Sequence, residues 1–380
     1  MIVGAGLGGL LLGILLDRAN IPYHIFERDS QVNHFGSATG LNADVLPIFE
    51  QLGLIDEIYK IALPYRKLRF FDGKVEKGTI DISGSKISFN KKVLRMQEKN
   101  SKVYIHCSDN TIYEGDILIG ADGANSGVRQ SLYRQLNGQA LLPKDDLKPA
   151  TVGLTCLVGI AEPKDPKKYP QLKDKESNFA QVFSGERLSL SDSDAKALQF
   201  RNSEWGPESN EAIMKEFENE PCPWGGTMGD VIKATPPDLV SRIFLEQQVF
   251  KTWYHGRTIL IGDAVAMAFQ DAVVLANCLY FMLDASSKSI TKAFQEYHQQ
   301  RYNRVQELCK EYVSIAQVSY DQAWFYRLVR NMILNLIPGS LRKRMFTNTF
   351  EYRPQIAWLP LVVNRGTASV LPQEGKRLSV

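Results

Sequence analysis

The sequence predicts an α/β fold built on a parallel sheet, and three observations carry that expectation. An apolar stump, Met1-Ile2-Val3, runs into the glycine-rich turn Gly4-Ala5-Gly6-Leu7-Gly8-Gly9 and then into a stretch of helical character over 10–19. A second strand-like stretch, over 21–27, follows after a short link, and a strand–helix–strand unit of this kind lays its strands parallel. Two further apolar strands, Ile117-Leu118-Ile119 and 258–261, run into the turns Gly120-Ala121-Asp122-Gly123 and Gly262-Asp263-Ala264.

Length and composition bound the rest. A chain of 380 residues is long enough for about two or three domains. It is 44% hydrophobic and 23% charged, the range of a folded globular protein, which excludes a disordered chain, a collagen-like fibre and a polytopic membrane protein. A net charge of +3 gives no global basic field, so no nucleic-acid partner is expected. The five Cys (107, 156, 222, 278, 309) form no C-x-x-C pair and read as reduced thiols of a cytoplasmic protein. The five His form no ligand pair, and no metal site is expected. The apolar start lacks the basic region and small-residue cleavage site of a signal peptide. No apolar run reaches the ~20 residues that span a bilayer.

Along the chain, 43–59 has helical periodicity, with Leu46, Phe49, Leu52, Leu54, Ile55 and Ile58 apolar. Residues 68–119 read as short strands punctuated by Asp72-Gly73, Ser83-Gly84, Asn100-Ser101 and Asp109-Asn110. Residues 151–248 mix strand-like pieces with a Pro/Gly-rich loop at 221–229. Long helices are expected over 266–285 and 290–320, followed by a basic and aromatic tail from Trp324.

Gly4, Gly6 and Gly9 match G-x-G-x-x-G between a strand and a helix. The first glycine permits the tight turn, the second lets backbone approach a pyrophosphate, and the third lets helix and strand pack closely. The helix start offers free N–H groups and a positive dipole end to phosphate. Glu27 closes the next strand about 20 residues on, where a carboxylate can accept from both ribose hydroxyls. The bland alternative is a glycine-rich helix start that holds nothing.

The run Gly120-Ala121-Asp122-Gly123-Ala124-Asn125-Ser126-Gly127-Val128-Arg129 resembles the second signature of the single-component FAD-dependent aromatic hydroxylases. That family includes the p-hydroxybenzoate and salicylate hydroxylases and a fungal branch of paxilline-type monooxygenases. Ile259-Leu260-Ile261-Gly262-Asp263-Ala264 resembles the third signature, and the three motifs stand in the family's order across residues 1–330. The resemblance implies a Rossmann-type FAD-binding domain made of 1–66, 86–150 and 249–320. It also implies a smaller mixed-sheet substrate domain of 67–85 and 151–248, then C-terminal helices and a tail over 321–380. It implies bound FAD and transient NAD(P)H. Asp122 and Gly123 would stand near the pyrophosphate, Arg129 on the next helix, and Gly262 and Asp263 by the ribityl chain. For Asp122 and Asp263 the competing role is turn and helix-cap chemistry. Catalytic residues are not assigned.

Four places look short against the family. Met1 leaves two residues before Gly4. The join at Gly84-Ser85 has no room for a helix that carries an FAD-contacting Arg. Phe183-Ser184-Gly185 passes quickly into the polar run 186–196. After Ala264 the chain goes directly through Val265 and Phe269 to Gln270-Asp271, without a His/Pro segment and glycine-rich turn. That turn would bring backbone N–H groups to the flavin pyrimidine ring, so weak FAD binding and slow turnover are expected.

The expected activity is FAD-dependent monooxygenation: NAD(P)H and O2 serve to hydroxylate or epoxidise a small organic substrate. The alternatives are an inactive Rossmann-type relic or binding protein, and an FAD-dependent oxidase or dehydrogenase. Trp205, Trp224 and His255 are weighed as cavity residues, with ordinary packing the duller role. The apolar and basic tail offers peripheral contact with a membrane, or simple packing on the domain.

Overall fold

The computed structural model describes residues 1–29, 41–56, 65–72, 75–78, 92–148, 151–159, 177–183, 217–236, 240–262, 265–320, 323–338, 350–363 and 369–372, with a few isolated positions besides. Its centre is a five-stranded sheet. Strand β1 (Ile2–Val3) is flanked by β2 (Ile25–Phe26) and β8 (Leu118–Gly120); β13 (Thr258–Leu260) lies beyond β8 and β12 (Tyr254–His255) at the edge. The four strands β13, β8, β1 and β2 are parallel, as the strand–helix–strand pattern predicts, and β12 is antiparallel.

Two residues suffice for β1 because each is paired on both sides, Ile2 with Ile25 and Ile119, Val3 with Phe26 and Gly120. The strand alternation then divides the core. Ile2, Ile119 and Ile259 face one apolar cluster, with Leu11, Leu12 and Leu15 of α1 (Leu7–Arg18). Val3, Phe26 and Leu118 face the other cluster, with Val103 and Ile105 and with Val128, Leu132 and Leu136 of α3 (Gly127–Gly138). That second layer is an antiparallel sheet of β5 (Val93–Lys99), β6 (Lys102–Cys107) and β7 (Ile112–Gly115). The β5–β6 turn falls at Asn100-Ser101, both in the left-handed region, where Asn is tolerated best among non-glycine residues.

The first layer continues through α5 (Val265–Tyr280) and α6 (Ser287–Tyr320). Gly8 of α1 sits against Ala268 of α5, where an added Cβ would stand 3.0 Å from the alanine methyl, so small residues let these helices approach closely. The helix expected over 43–59 is shorter: α2 covers Leu46–Gln51 and breaks at Gly53, which takes a φ of +72°. Elsewhere β10 (Ser177–Phe183), β3 (Tyr65–Asp72) and β4 (Val75–Gly78) form a mixed sheet, and β9 (Thr151–Gly159) pairs antiparallel with β11 (Val240–Gln247). The loop at 221–229 closes through a Pro221–Thr227 bridge and leads into the short α4 (Met228–Lys233), whose start Thr227 and Asp230 cap reciprocally.

The C-terminal run folds back onto the domain. Tyr352, Ile356 and Ala357 are buried, Ile356 and Tyr352 in the same cluster as Ile48 and Phe49. Gln51 ties to it in both directions: its Nε2 donates to the Ile356 carbonyl at 3.1 Å and its Oε1 accepts from the Ile356 N–H at 2.7 Å. Asn277 does the same with Gln355 and Ala357, and Trp358 stacks on Tyr280 at 4.5 Å. Among the described residues no helix is long and apolar enough to cross a membrane. The joins near residues 84 and 185 lie outside the described residues.

Candidate cofactor site

The carboxyl ends of β13, β8, β1 and β2 lie at one end of the sheet, and the three glycine motifs stand there because each follows its strand directly. Backbone bonds lock them together: Gly4 N–H donates to Phe26, Ala121 N–H to Val3 and Ile261 N–H to Gly120, at 2.8, 2.7 and 3.0 Å. Open α/β sheets bind ligands outside the carboxyl ends of their strands.

The glycines of the first turn have different surroundings. Gly4 takes a φ of +98°, and a Cβ there would stand 2.4 Å from the Ala121 carbonyl oxygen. A Cβ on Gly9 would stand 2.1 Å from the Gly4 carbonyl oxygen, so Gly9 is what lets α1 rest on the turn. Gly6 is exposed, and a Cβ there would meet nothing within 4 Å. Gly4 and Gly9 therefore shape the cradle, and Gly6 is its open floor. That arrangement suits a group that must touch backbone.

Glu27 reaches this turn. Its Oε2 accepts the Ala5 N–H at 2.7 Å, and its Oε1 accepts the N–H groups of Arg28 and Asp29 at 2.7 and 3.1 Å. A carboxylate has about four lone-pair sites, so one remains, on Oε2. The expectation of a carboxylate open to both ribose hydroxyls becomes one acceptor position on a group already stitched to the loop.

Asp122 is more fully engaged. Its Oδ1 accepts the Ser126 hydroxyl at 2.6 Å, and its Oδ2 accepts the N–H groups of Gly127 and Val128 at 2.8 and 3.3 Å. Ser126 in turn takes the Arg129 N–H. This is helix-cap chemistry, the competing role for Asp122, and it holds Gly123 in a turn with a φ of +76°. Arg129 donates to the Ala124 carbonyl, and its guanidinium lies 4.6 Å from the centre of the Phe250 ring.

At the third motif α5 starts at Val265, as the shortened join predicts, and Asp263 lies outside the described residues. Gly262 donates its N–H to Asp271 Oδ2 at 2.8 Å, and a Cβ on Gly262 would stand 2.5 Å from that oxygen.

Sequence reasoning missed what stands behind Asp271. Its Oδ1 accepts from Arg301 Nε at 2.5 Å, with both side chains buried. Arg301 Nη1 donates to Gln270 Oε1 at 3.0 Å, and Gln270 Nε2 donates to Asp44 Oδ2 at 2.9 Å. Burial works against the Arg301 cation, but Asp271 and the phenols of Tyr352 and Tyr297 outweigh it and raise the pKa. Burial pushes the Asp44 carboxyl up to about 6, against the pull of its own backbone hydrogen bond, Arg353, Arg301 and Gln270. The signal was present: Asp271 is the single charged residue between Asp263 and Asp284 in an otherwise apolar helical stretch. A lone charge in such a run needs a buried partner.

Other weighed residues lie apart. Trp205 is outside the described residues, and His255 pairs with Thr258 in the edge strand. Trp224 stands in the 221–229 loop, partly buried. Among the described residues no group of His, Cys, Asp or Glu is arranged to hold a metal ion.

A glycine cradle of this kind at strand ends suits a dinucleotide, and comparison with known proteins specifies the class. Residues 1–104 match the family described as FAD binding domain. The chain is 27% identical over 369 residues to the FAD-dependent monooxygenase paxM of Penicillium paxilli, covering 80% of this chain and 75% of that one. It is 22% identical over 397 residues to the aurachin C monooxygenase/isomerase of Stigmatella aurantiaca, covering 93% and 98%. Its fold is similar to that of Klebsiella pneumoniae HpxO complexed with FAD and uric acid, with a TM-score of 0.66 at 18% identity over 92% of this chain and 95% of that one. The chain is an FAD-dependent monooxygenase similar to those of the aromatic-hydroxylase-like family, and FAD is its cofactor.

Proposed function

We propose that this monooxygenase uses NAD(P)H and O2 to hydroxylate or epoxidise a small organic substrate. The observation that carries the reading is the exposed Gly6 floor at the strand ends, beside the turns of both downstream motifs. Bound FAD supplies the redox and oxygen-transfer chemistry, and the chain supplies binding and orientation. Gly6 admits a pyrophosphate against backbone, with the first-turn N–H groups of α1 as donors. Gly4 and Gly9 keep that turn tight. Glu27 accepts one ribose hydroxyl at its remaining Oε2 position. Asp122 acts by fixing the Gly123 turn, so that backbone and not carboxylate faces the cofactor, and Arg129 braces the same turn. Gly262 and Asp263 serve the ribityl chain.

The substrate region is assigned to 67–85 and 151–248, supported by the shared sheet of β3, β4 and β10. Residues 1–66, 86–150 and 249–320 are assigned to FAD, and 321–380 to the C-terminal helices and tail. That HpxO was solved with uric acid supports a small organic substrate here. Because α5 starts at Val265, little backbone is left to meet a flavin ring, and we expect FAD to be held weakly.

The test is purification with excess FAD, flavin absorbance per chain, then NAD(P)H consumption with candidate substrates while product and H2O2 are both measured. Substrate-stimulated consumption matched by oxygenated product supports the proposal. H2O2 in place of product, at equal stoichiometry for every substrate, overturns it in favour of an oxidase. Inserting a His/Pro and glycine-rich segment after Ala264 should raise flavin occupancy and NAD(P)H oxidation together.

A further inference from the structure

Helix α7 (Trp324–Asn335) is apolar on two sides. Tyr326, Val329, Arg330 and Ile333 are partly buried where the helix packs against α6 and β4, and Arg330 Nη1 donates to the Val318 and Ser319 carbonyls at 3.0 and 2.9 Å. That contact accounts for the inner side alone. On the outer side Trp324, Leu328 and Met332 recur every fourth residue, with Phe325 beside the first and Leu336 continuing the row. All five are exposed, Trp324 at 77% and Leu336 at 72%. Side chains spaced by four share one helix face, so this is a continuous apolar stripe.

Charge says what covers it. Between 322 and 350 the chain carries Arg327, Arg330, Arg342, Lys343 and Arg344 and no Asp or Glu. A second copy laid on the same stripe would bring two all-cationic segments together. An anionic surface would be attracted. The helix, 12 residues or about 18 Å long, is too short to span a bilayer. Aromatic and aliphatic residues on one side, with the exposed Arg327 on the same helix and a basic run following in the sequence, suit a helix that lies in the plane of a lipid surface.

We propose that the outer face of α7 docks on a bilayer containing anionic phospholipid, with the basic run 342–344 adding electrostatic attraction. The proposal does not depend on the cofactor reading, since α7 packs against α6 and β4.

The experiment is co-sedimentation of the full chain with phosphatidylcholine vesicles, with and without phosphatidylserine, at low and high salt. The wild-type chain should sediment with the phosphatidylserine vesicles and be released by salt. The triple variant Trp324→Ser, Phe325→Ser, Leu328→Ser should lose at least tenfold in affinity, with its melting temperature and flavin content unchanged. The variant Arg342→Glu, Lys343→Glu, Arg344→Glu should lose the salt-sensitive part. A wild-type chain left in the supernatant with both vesicles overturns the proposal, and so does equal binding without phosphatidylserine. Undiminished binding by the triple variant, or a dimer in sedimentation equilibrium that the triple variant abolishes, also overturns it.

Discussion

At the scale of single residues, the three glycines of the first motif separate into two jobs that a mutant series can distinguish. A Cβ at Gly6 enters open space, whereas one at Gly9 enters the Gly4 carbonyl. Gly6→Val should therefore leave the melting temperature within a few degrees of wild type and abolish flavin uptake. Gly9→Val should lower folded yield before flavin is added, as expected for backbone overlap in a packed turn. Equal effects of the two on stability in differential scanning fluorimetry would contradict this division. Asp44 makes a second prediction. Its folded pKa of about 6 lies above the ordinary carboxyl value of 3.8, so the folded state holds its proton more tightly than the unfolded state. Its contribution to stability is most favourable below pH ~4 and declines as pH rises to ~6, by about 3 kcal/mol at 1.36 kcal/mol per unit. Urea unfolding of wild type and Asp44→Asn across that range should show the difference between them changing with this sign. A flat difference would mean that Asp44 does not titrate there.

At the scale of elements, the join between β13 and α5 depends on one carboxylate. Asp271 takes the Gly262 N–H on one oxygen and Arg301 on the other, so the turn bearing the third motif is anchored to α6. Asp271→Ala leaves Arg301 buried without its carboxylate, and breaking such a pair from one side costs about 3–5 kcal/mol. The double variant Asp271→Leu, Arg301→Met should recover most of that stability but not the anchoring of Gly262, so flavin affinity should stay low in both. Calorimetry and flavin titration together check this; recovery of flavin affinity in the double variant would show that Asp271 matters for packing alone. This pair also shows where sequence reading stops. The strand–glycine–helix order and the acid at Glu27 are local patterns, and they were legible as such. The partner of Asp271 is on another helix, and no local pattern names it. Asp122 is a different case: the motif located it, and its Oδ1 accepts from Ser126 and its Oδ2 from Gly127 and Val128 because a helix begins there. Helix boundaries blurred for a related reason. The periodicity over 43–59 continues through Gly53, yet the left-handed turn there ends α2.

At the scale of the whole molecule, the core is closed by its two distant ends. Ile356 is fully buried among residues of α1, α2 and α5, and Gln51 holds its backbone from both sides. A chain that stops at residue 349 should lose these contacts and fail to give a cooperative thermal transition. One that stops at 363 should melt close to the full chain, and circular dichroism melts of the two would decide. The sequence read the apolar run at 356–363 as a tail with two fates, and packing on the domain is the one seen for its first half. The amphiphilic pattern alone could not choose, because burial there depends on Gln51, 305 residues away.

That separation also bears on how the protein is made. A ribosome adds about 5–20 residues per second, so roughly 15–60 s pass between the emergence of Gln51 and that of Ile356. Throughout that interval the apolar cluster that Ile356 joins, with Ile48 and Phe49 among its members, lacks that side chain. The nascent N-terminal half must wait with an oily surface uncovered, which makes it a client for chaperones that recognise such surfaces. Synonymous codons that slow the last third of the message should lower soluble yield without changing a single residue of the product.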